Sequence, residues 1–228
     1  SMKETLSDGT TKLQALKSAA TAFVTSVQKD AQNNNVNHRI AIVGFGGDSS
    51  TSTPYNATEL LSTESTVSYA SHNTATSSTI TAQQYQDALV SANVNGSVNT
   101  RLTNAINAVR AGSYTFANFG LELAKGVLDN RTETTYTTAD GAEESRKTVV
   151  VFFTDGYPGR HTTERFYDGK SSGVSADYVT VTTANKAIQA ANSLKKSGAT
   201  VYSVGILNSA NPAANYNFTR TTNKDDIE

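Results

Sequence analysis

Short apolar runs alternate with amphipathic stretches along this chain. The clearest run is Val149–Phe153, whose apolar residues are β-branched or aromatic and end abruptly at Thr154-Asp155-Gly156. A run of this length and composition predicts a strand buried on both faces, as in the middle of a parallel sheet. Arg39–Phe45 and Ala199–Leu207 have the same character and predict two further strands.

Other segments carry apolar residues at helical spacing. The first such stripe predicts a helix over Thr11–Ala31; it consists of Leu13, Leu16, Ala20, Phe23, Val24 and Val27. Further helices are predicted over Ala82–Ala92, Leu102–Val109 and Phe116–Leu128, and within Tyr178–Lys196. The alternation of strands and helices favours an α/β fold, with an open, Rossmann-like, mostly parallel sheet and helices on both faces.

Three polar segments interrupt this pattern. Residues 48–79 are rich in Ser, Thr and Asn, and only Thr66–Tyr69 among them predicts a short edge strand. Asn130–Arg146 is predicted to be an exposed loop, and Gly156–Ala176 a second long polar loop. No linker divides the chain and no repeat is present, so we expect one domain over residues 1–228 with surface insertions near 48–79 and 156–176.

Composition narrows the possible partners and compartments. The formal net charge is -1, which gives no reason to expect nucleic acid or an anionic membrane as a partner. No apolar run approaches the roughly 20 residues that span a bilayer. The chain has no cysteine, few charged residues (17%) and much Ser, Thr and Asn. We therefore expect an extracellular or cell-surface location, where exposed thiols would oxidise.

Several kinds of catalytic or nucleotide site are absent from the sequence. Gly44, Gly46 and Gly47 follow a predicted strand but lead into a polar segment, so they do not form a dinucleotide-binding turn. Neither a P-loop nor a G-x-S-x-G nucleophile motif is present. The histidines have no metal-ligand spacing, and the carboxylates form no evident acid–base pair. We expect no enzymatic activity.

A set of hydroxyl and carboxylate groups at loop positions remains. Asp155 follows a predicted buried strand, Thr115 precedes a predicted helix, and Ser1 stands before the first helix. Oxygen ligands of these types suit a hard divalent cation, Mg²⁺ above all, with Mn²⁺ or Ca²⁺ as alternatives. Taken singly, Asp155 could equally be a turn residue and Thr115 a helix N-cap.

Together these residues resemble the metal-ion-dependent adhesion site of von Willebrand factor type A domains. That family builds the site from a D-x-S-x-S motif after its first strand, a Thr before a helix, and an Asp that commonly stands in T-D-G after its fourth strand. Thr154-Asp155-Gly156 resembles the third element and Gly112–Thr115 the second. Arg39–Gly47 and Ala199–Ile206 resemble the second and fifth strands, so the resemblance covers nearly the whole chain.

The sequence departs from the family at its first residues. Ser1-Met2-Lys3 resembles the end of D-x-S-G-S-M, but the preceding strand, its Asp and the first Ser are not in this sequence. The family places that strand in the middle of the sheet, so the fold without it has a gap with unpaired backbone. We expect that the natural protein continues upstream, or that a permuted connection or a separate chain supplies the strand. Asn223–Glu228 likewise resembles the opening turn of an unfinished helix, and the alternative is that Ser1-Met2 is a cloning remnant.

The resemblance implies a role for each matching residue. Ser1 and Thr115 would contact the ion directly or through water, and Asp155 would often act through water. Tyr114 and Tyr157 flank the expected site and are candidates for a ligand-binding surface, with ordinary packing as the alternative. The implied function is adhesion: a secreted or cell-surface bacterial protein, of the pilus-tip or wall-anchored kind, that binds a protein or glycan ligand through the cation.

Three other functions stay open at this point. An intracellular domain of the same fold could partner an ATPase, although such domains would be richer in charged residues. A metal-assisted hydrolase would need a general base near Asp155, and the sequence offers no convincing one. A structural surface module with a degenerate metal site is the third, because the D-x-S element is missing from this sequence.

Overall fold

A computed structural model of the chain describes residues 2–46, 57–71, 80–111, 117–138, 140–155 and 176–206. The helices of these segments are α1 Lys12–Asn33, α2 Ala82–Ala88, α3 Thr100–Ala108, α4 Ala117–Asp129 and α5 Ala176–Lys196. Their strands are β1 Arg39–Ile40, β2 Val43–Gly44, β3 Ala57–Leu60, β4 Val67–Ser71, β5 Val90–Ser91, β6 Asn93–Val94, β7 Ser97–Val98, β8 Thr135–Thr137, β9 Glu143–Ser145, β10 Val149–Thr154 and β11 Thr200–Gly205. This mixture of helices and strands confirms the α/β class. None of α1–α5 combines the length and the apolar character that crossing a bilayer requires.

Two helices begin with the same capping box. Thr11 Oγ1 accepts a hydrogen bond from Gln14 N (3.2 Å), and Gln14 Oε1 accepts one from Thr11 N (2.7 Å). The corresponding pair at the start of α2 is Thr81 and Gln84. Such reciprocal bonds satisfy amide groups that have no partner within the helix. The expected end of α2 at Ala92 was wrong, because β5 leaves the helical path to pair with β1.

The strands form several small sheets rather than one large sheet. β2, β3 and β4 make an antiparallel sheet, β1 pairs antiparallel with β5, and β6 and β7 form a hairpin. Within the described residues only β10 and β11 run parallel to each other as partners. The single, mostly parallel sheet that the alternation predicted is therefore not found in this part of the chain.

Two of the polar segments are more ordered than their composition predicts. The first contains β3 and β4, and Leu60 of β3 is fully buried in the core. Asn130–Arg146 contains the β8–β9 hairpin, where Tyr136 donates a hydrogen bond to Glu144 (2.7 Å). Cross-strand pairs of polar side chains stabilise this hairpin, so it carries no hydrophobic signal in the sequence.

Helices α1 and α4 cover opposite faces of the extended stretch Arg39–Gly44. On one face Ile40 and Ile42 pack around Val24 of α1. On the other, Ala41 and Val43 pack around residues of α4. Successive side chains of a strand point to opposite faces, so this alternation places the stretch between two helical layers, as the sequence predicted.

Strands β10 and β11 are buried on one face only. Val150 and Phe152 pack with Leu121 of α4 and Leu194 of α5. The alternate positions are more open, since Val149 is 53% exposed and Tyr202 of β11 58% exposed. The expectations that β10 is buried on both faces and that β11 is a buried strand were wrong for the described residues, because only one face of the pair packs against helices there.

Candidate metal site at the carboxyl end of β10

Asp155 lies directly after the last residue of β10. Thr154 pairs with Gly205, and Thr154 O accepts a hydrogen bond from Ile206 N (2.8 Å), so the backbone is held firmly up to the aspartate. Asp155 Oδ2 is buried and has no hydrogen-bond partner in the described part of the chain. It is the only carboxylate oxygen there in that condition. A desolvated carboxylate oxygen without a partner is unfavourable, and a cation or a donor would offset that cost.

The other predicted site residues, Ser1, Tyr114, Thr115 and Tyr157, lie outside the described residues. The chain next to Ser1 is nevertheless fixed, because Met2 O accepts a hydrogen bond from Leu13 N (3.0 Å) in the first turn of α1. Met2 and Asp155 both line one cavity of ≈ 930 Å³. The structure thus brings Met2, which adjoins Ser1, and Asp155 to the walls of the same cavity.

This cavity, called the groove below, has four walls. Residues Val36–Gly46 form one side and Glu144–Asp155 form the other. Residues of α1 and α4 form the remaining two walls, and all of them are apolar except Ser26 and Asp30 of α1. The aspartate therefore lies where the groove reaches the carboxyl end of β10, which is the usual place for ligands in α/β folds.

Two polar side chains that are buried or partly buried in the described residues were missed at the sequence level. Asn118, in the first turn of α4, is 1% exposed, and its Oδ1 has no hydrogen-bond partner among the described residues. Its Nδ2 donates to Glu122 Oε1 (3.2 Å). In the sequence, only the place of Asn118 shortly after Gly112–Thr115 pointed to the site. An isolated Asn in a predicted helix does not indicate burial.

The second missed feature is a half-buried carboxyl group in the middle strand of the antiparallel sheet. The side chain of Glu59 is 15% exposed, and its carboxylate lies 3.8 Å from Arg110 Nη2. Burial raises the pKa of Glu59, and the charge of Arg110 opposes that rise. Glu59 belongs to a segment whose composition predicted irregular structure, so nothing in the sequence indicated this pair.

Protein ligands for a cation are few in the described segments. They contain no group of three or more His, Cys, Asp or Glu residues that could hold a metal ion. His38 is engaged with Asp30, whose Oδ2 lies 2.6 Å from its Nε2. Ser1 and Thr115, which would supply neutral oxygen ligands to a cation at Asp155, lie outside the described residues.

Comparison with known proteins supplies no relative of this chain. No protein-family model matches it, and no curated protein or solved structure matches it either.

Proposed function

We propose that this chain is a cation-dependent ligand-binding domain of the von Willebrand factor A type, from a secreted or cell-surface protein. It binds a protein or glycan ligand through Mg²⁺ held at the carboxyl end of β10. One observation carries the proposal: Asp155 terminates a strand of the parallel pair, and its Oδ2 is buried without a hydrogen-bond partner in the described residues.

The arrangement of elements also supports the proposal. Strands β10 and β11 and helix α4 form at the segments on which the family resemblance was based. The groove separates β10 from Arg39–Gly44, the stretch that resembles the family's second strand.

The chemistry of the site follows from its ligands. A cation with few anionic ligands stays electrophilic and accepts a carboxylate or hydroxyl oxygen from a partner molecule. Asp155 supplies the negative charge that this chain contributes, and Ser1 and Thr115 are the expected neutral donors. Tyr114 and Tyr157 would border the bound ligand.

Calorimetric titration with Mg²⁺ tests the site directly. The Asp155→Ala variant should bind Mg²⁺ at least about tenfold more weakly than the unaltered chain, because an anionic ligand is lost. Thr115→Ala should weaken binding less, since it removes a neutral donor. Asp140→Ala is the matched control, because Asp140 lies in the exposed turn between β8 and β9 and its carboxylate accepts from Thr138.

One outcome of this titration would contradict the proposed metal site. Equal Mg²⁺ binding by the Asp155→Ala variant and the unaltered chain would overturn the assignment. We further expect full affinity only when the D-x-S strand is present. A ligand interaction that persists in excess chelator would instead support a structural surface module.

A further inference from the structure

A second cavity, called the basic cavity below, lies where Met2 and Lys3, the start of α1 and the end of α3 meet. Its volume is ≈ 370 Å³, and small-ligand pockets span about 300–1,000 Å³. Three charged residues line it, Lys3, Lys17 and Arg110, and all three are basic. The described residues of its wall include no Asp or Glu, although the whole chain has a formal net charge of -1. Positive charge is therefore concentrated at this cavity, which favours an anionic ligand.

Lys17 is fixed in place by a hydrogen bond between α1 and α3. Its Nζ donates to Asn107 O (2.7 Å), a carbonyl group in the last turn of α3. This bond satisfies one of the carbonyl groups that have no partner at the end of a helix. An ammonium group has three donors, and within the described residues no carboxylate pairs with Lys17. The bond therefore positions a half-buried positive charge without neutralising it.

Two carboxylates near the basic cavity do not form part of its wall. Glu4 follows Lys3 in the chain, but its Oε2 lies 2.7 Å from the Nζ of Lys12, which is buried and does not line the cavity. Glu59 lies 3.8 Å from Arg110 Nη2 and does not line the cavity either. That separation is too long for a hydrogen bond, and the side chain of Arg110 stays 47% exposed. Arg110 therefore still presents positive charge to the cavity.

The rest of the wall is neutral and mixed in character. Met2, Leu13 and Val109 supply apolar surface, whereas Thr11 and Asn107 carry polar groups. Sugar rings suit such a wall, because their hydroxyl groups form hydrogen bonds and their C–H faces pack on apolar side chains. No residue of β1–β11 lines the cavity, so it offers no strand edge on which an extended peptide could pair.

We propose that the basic cavity binds a sugar phosphate, whose phosphate group is held by Lys3, Lys17 and Arg110. A phosphate ester carries about two negative charges at neutral pH and three acceptor oxygens. It therefore matches three basic side chains better than a singly charged carboxylate does. Asp155 does not line this cavity, so the inference goes beyond the cation site and needs no metal ion.

Calorimetric titration of the whole chain tests the class of ligand. The probe is α-glucosyl phosphate, and the comparisons are glucose, inorganic phosphate and a short phosphoserine peptide. The probe should bind at least about tenfold more tightly than glucose, which lacks the charged group. It should also bind more tightly than inorganic phosphate, which lacks the ring. Absence of binding, equal affinity for the probe and either comparison molecule, or tighter binding of the peptide would overturn the proposal.

Lysine variants test whether the phosphate group lies in the basic cavity. Lys17→Gln should weaken binding of α-glucosyl phosphate about tenfold, because it removes a charge-assisted hydrogen bond. Lys17→Arg should keep most of the affinity. Lys29→Gln is the matched control, since Lys29 is exposed on the same helix and does not line the cavity. Undiminished binding by Lys17→Gln would contradict the proposal; if that variant does not fold, Lys3→Gln, at an exposed position, carries the same expectation.

The dependence on metal separates this site from the proposed cation site. The affinity for α-glucosyl phosphate should be the same in metal-free buffer and in buffer that contains Mg²⁺. Raising the ionic strength should weaken binding in both buffers, because salt screens the attraction between the phosphate and the basic side chains. Binding that requires Mg²⁺ would show that the phosphate is a ligand of the cation, and it would overturn the assignment to the basic cavity.

Discussion

At the residue scale, Gly126 shows how a local preference yields to packing. Glycine inside α4 costs helix stability, and replacing it with alanine would ordinarily gain about 1 kcal/mol. A Cβ at Gly126, however, would clash with the ring of Tyr85 on α2. Because α2 and α4 pack together here, the contact outweighs the helical preference.

We therefore expect Gly126→Ala to lower the free energy of unfolding by about 1–3 kcal/mol, as overpacking does. Urea unfolding measures the change. In a double-mutant cycle with Tyr85→Ala, the cost of adding the methyl group should shrink or change sign, because the clashing ring is gone. An equal cost in both backgrounds would show that the ring does not decide the effect.

Single residues also mark the limit of prediction from sequence. Asp155 could be singled out because it ends an apolar run at a glycine. The burial of Gln28 could not be predicted. Its Nε2 donates hydrogen bonds to Asn93 Oδ1 (3.0 Å) and Gly96 O (3.1 Å), and both acceptors are distant in sequence. Burial of a polar side chain depends on such distant partners, and a local pattern does not reveal them.

At the element scale, apolar periodicity identified the long elements and failed for the polar ones. Helices α1, α4 and α5 and strands β10 and β11 begin and end close to their predicted limits. Strand β3 was not predicted, because its pattern in the sequence is polar and its partners are β2 and β4. Neighbouring strands decide whether a segment joins a sheet, so a short strand can form without an apolar pattern in its own sequence.

The carboxyl group of Glu59 gives β3 a pH-dependent stability. Its pKa is raised by burial, so the folded state binds the proton more tightly than the unfolded state does. Tighter proton binding stabilises the folded state. This stabilisation is complete below the ordinary glutamate pKa of about 4.3, and it is lost as the pH rises through the raised pKa of Glu59. Glu59→Gln should therefore be more stable than the unaltered chain at pH 7.

The same comparison below pH 4 should show nearly equal stability, because Glu59 is then protonated in both states. Urea unfolding at both pH values provides the measurement. Glu64→Gln, at an exposed position in the turn between β3 and β4, controls for the loss of one negative charge. If Glu59→Gln raised the free energy of unfolding more at acid pH than at neutral pH, the ion pair with Arg110 would have a larger effect on the pKa of Glu59 than burial has.

At the scale of the whole molecule, α4 joins the two walls of the groove. It contributes Leu123 and Val127 to the cluster around Ala41 and Val43, and other residues to the cluster around Val150 and Phe152. The α1 wall is less well packed, since Phe23 is 42% exposed. Stability of the free chain should therefore depend on α4 far more than on the groove face of α1.

Two truncations test this division. Leu123→Ala removes a fully buried side chain and should lower the free energy of unfolding by about 2–5 kcal/mol. Phe23→Ala should cost the free chain about 1 kcal/mol or less, because much of the ring is already in water. Urea unfolding measures both effects, and a cost of Phe23→Ala as large as that of Leu123→Ala would show that the α1 wall contributes as much stability as α4.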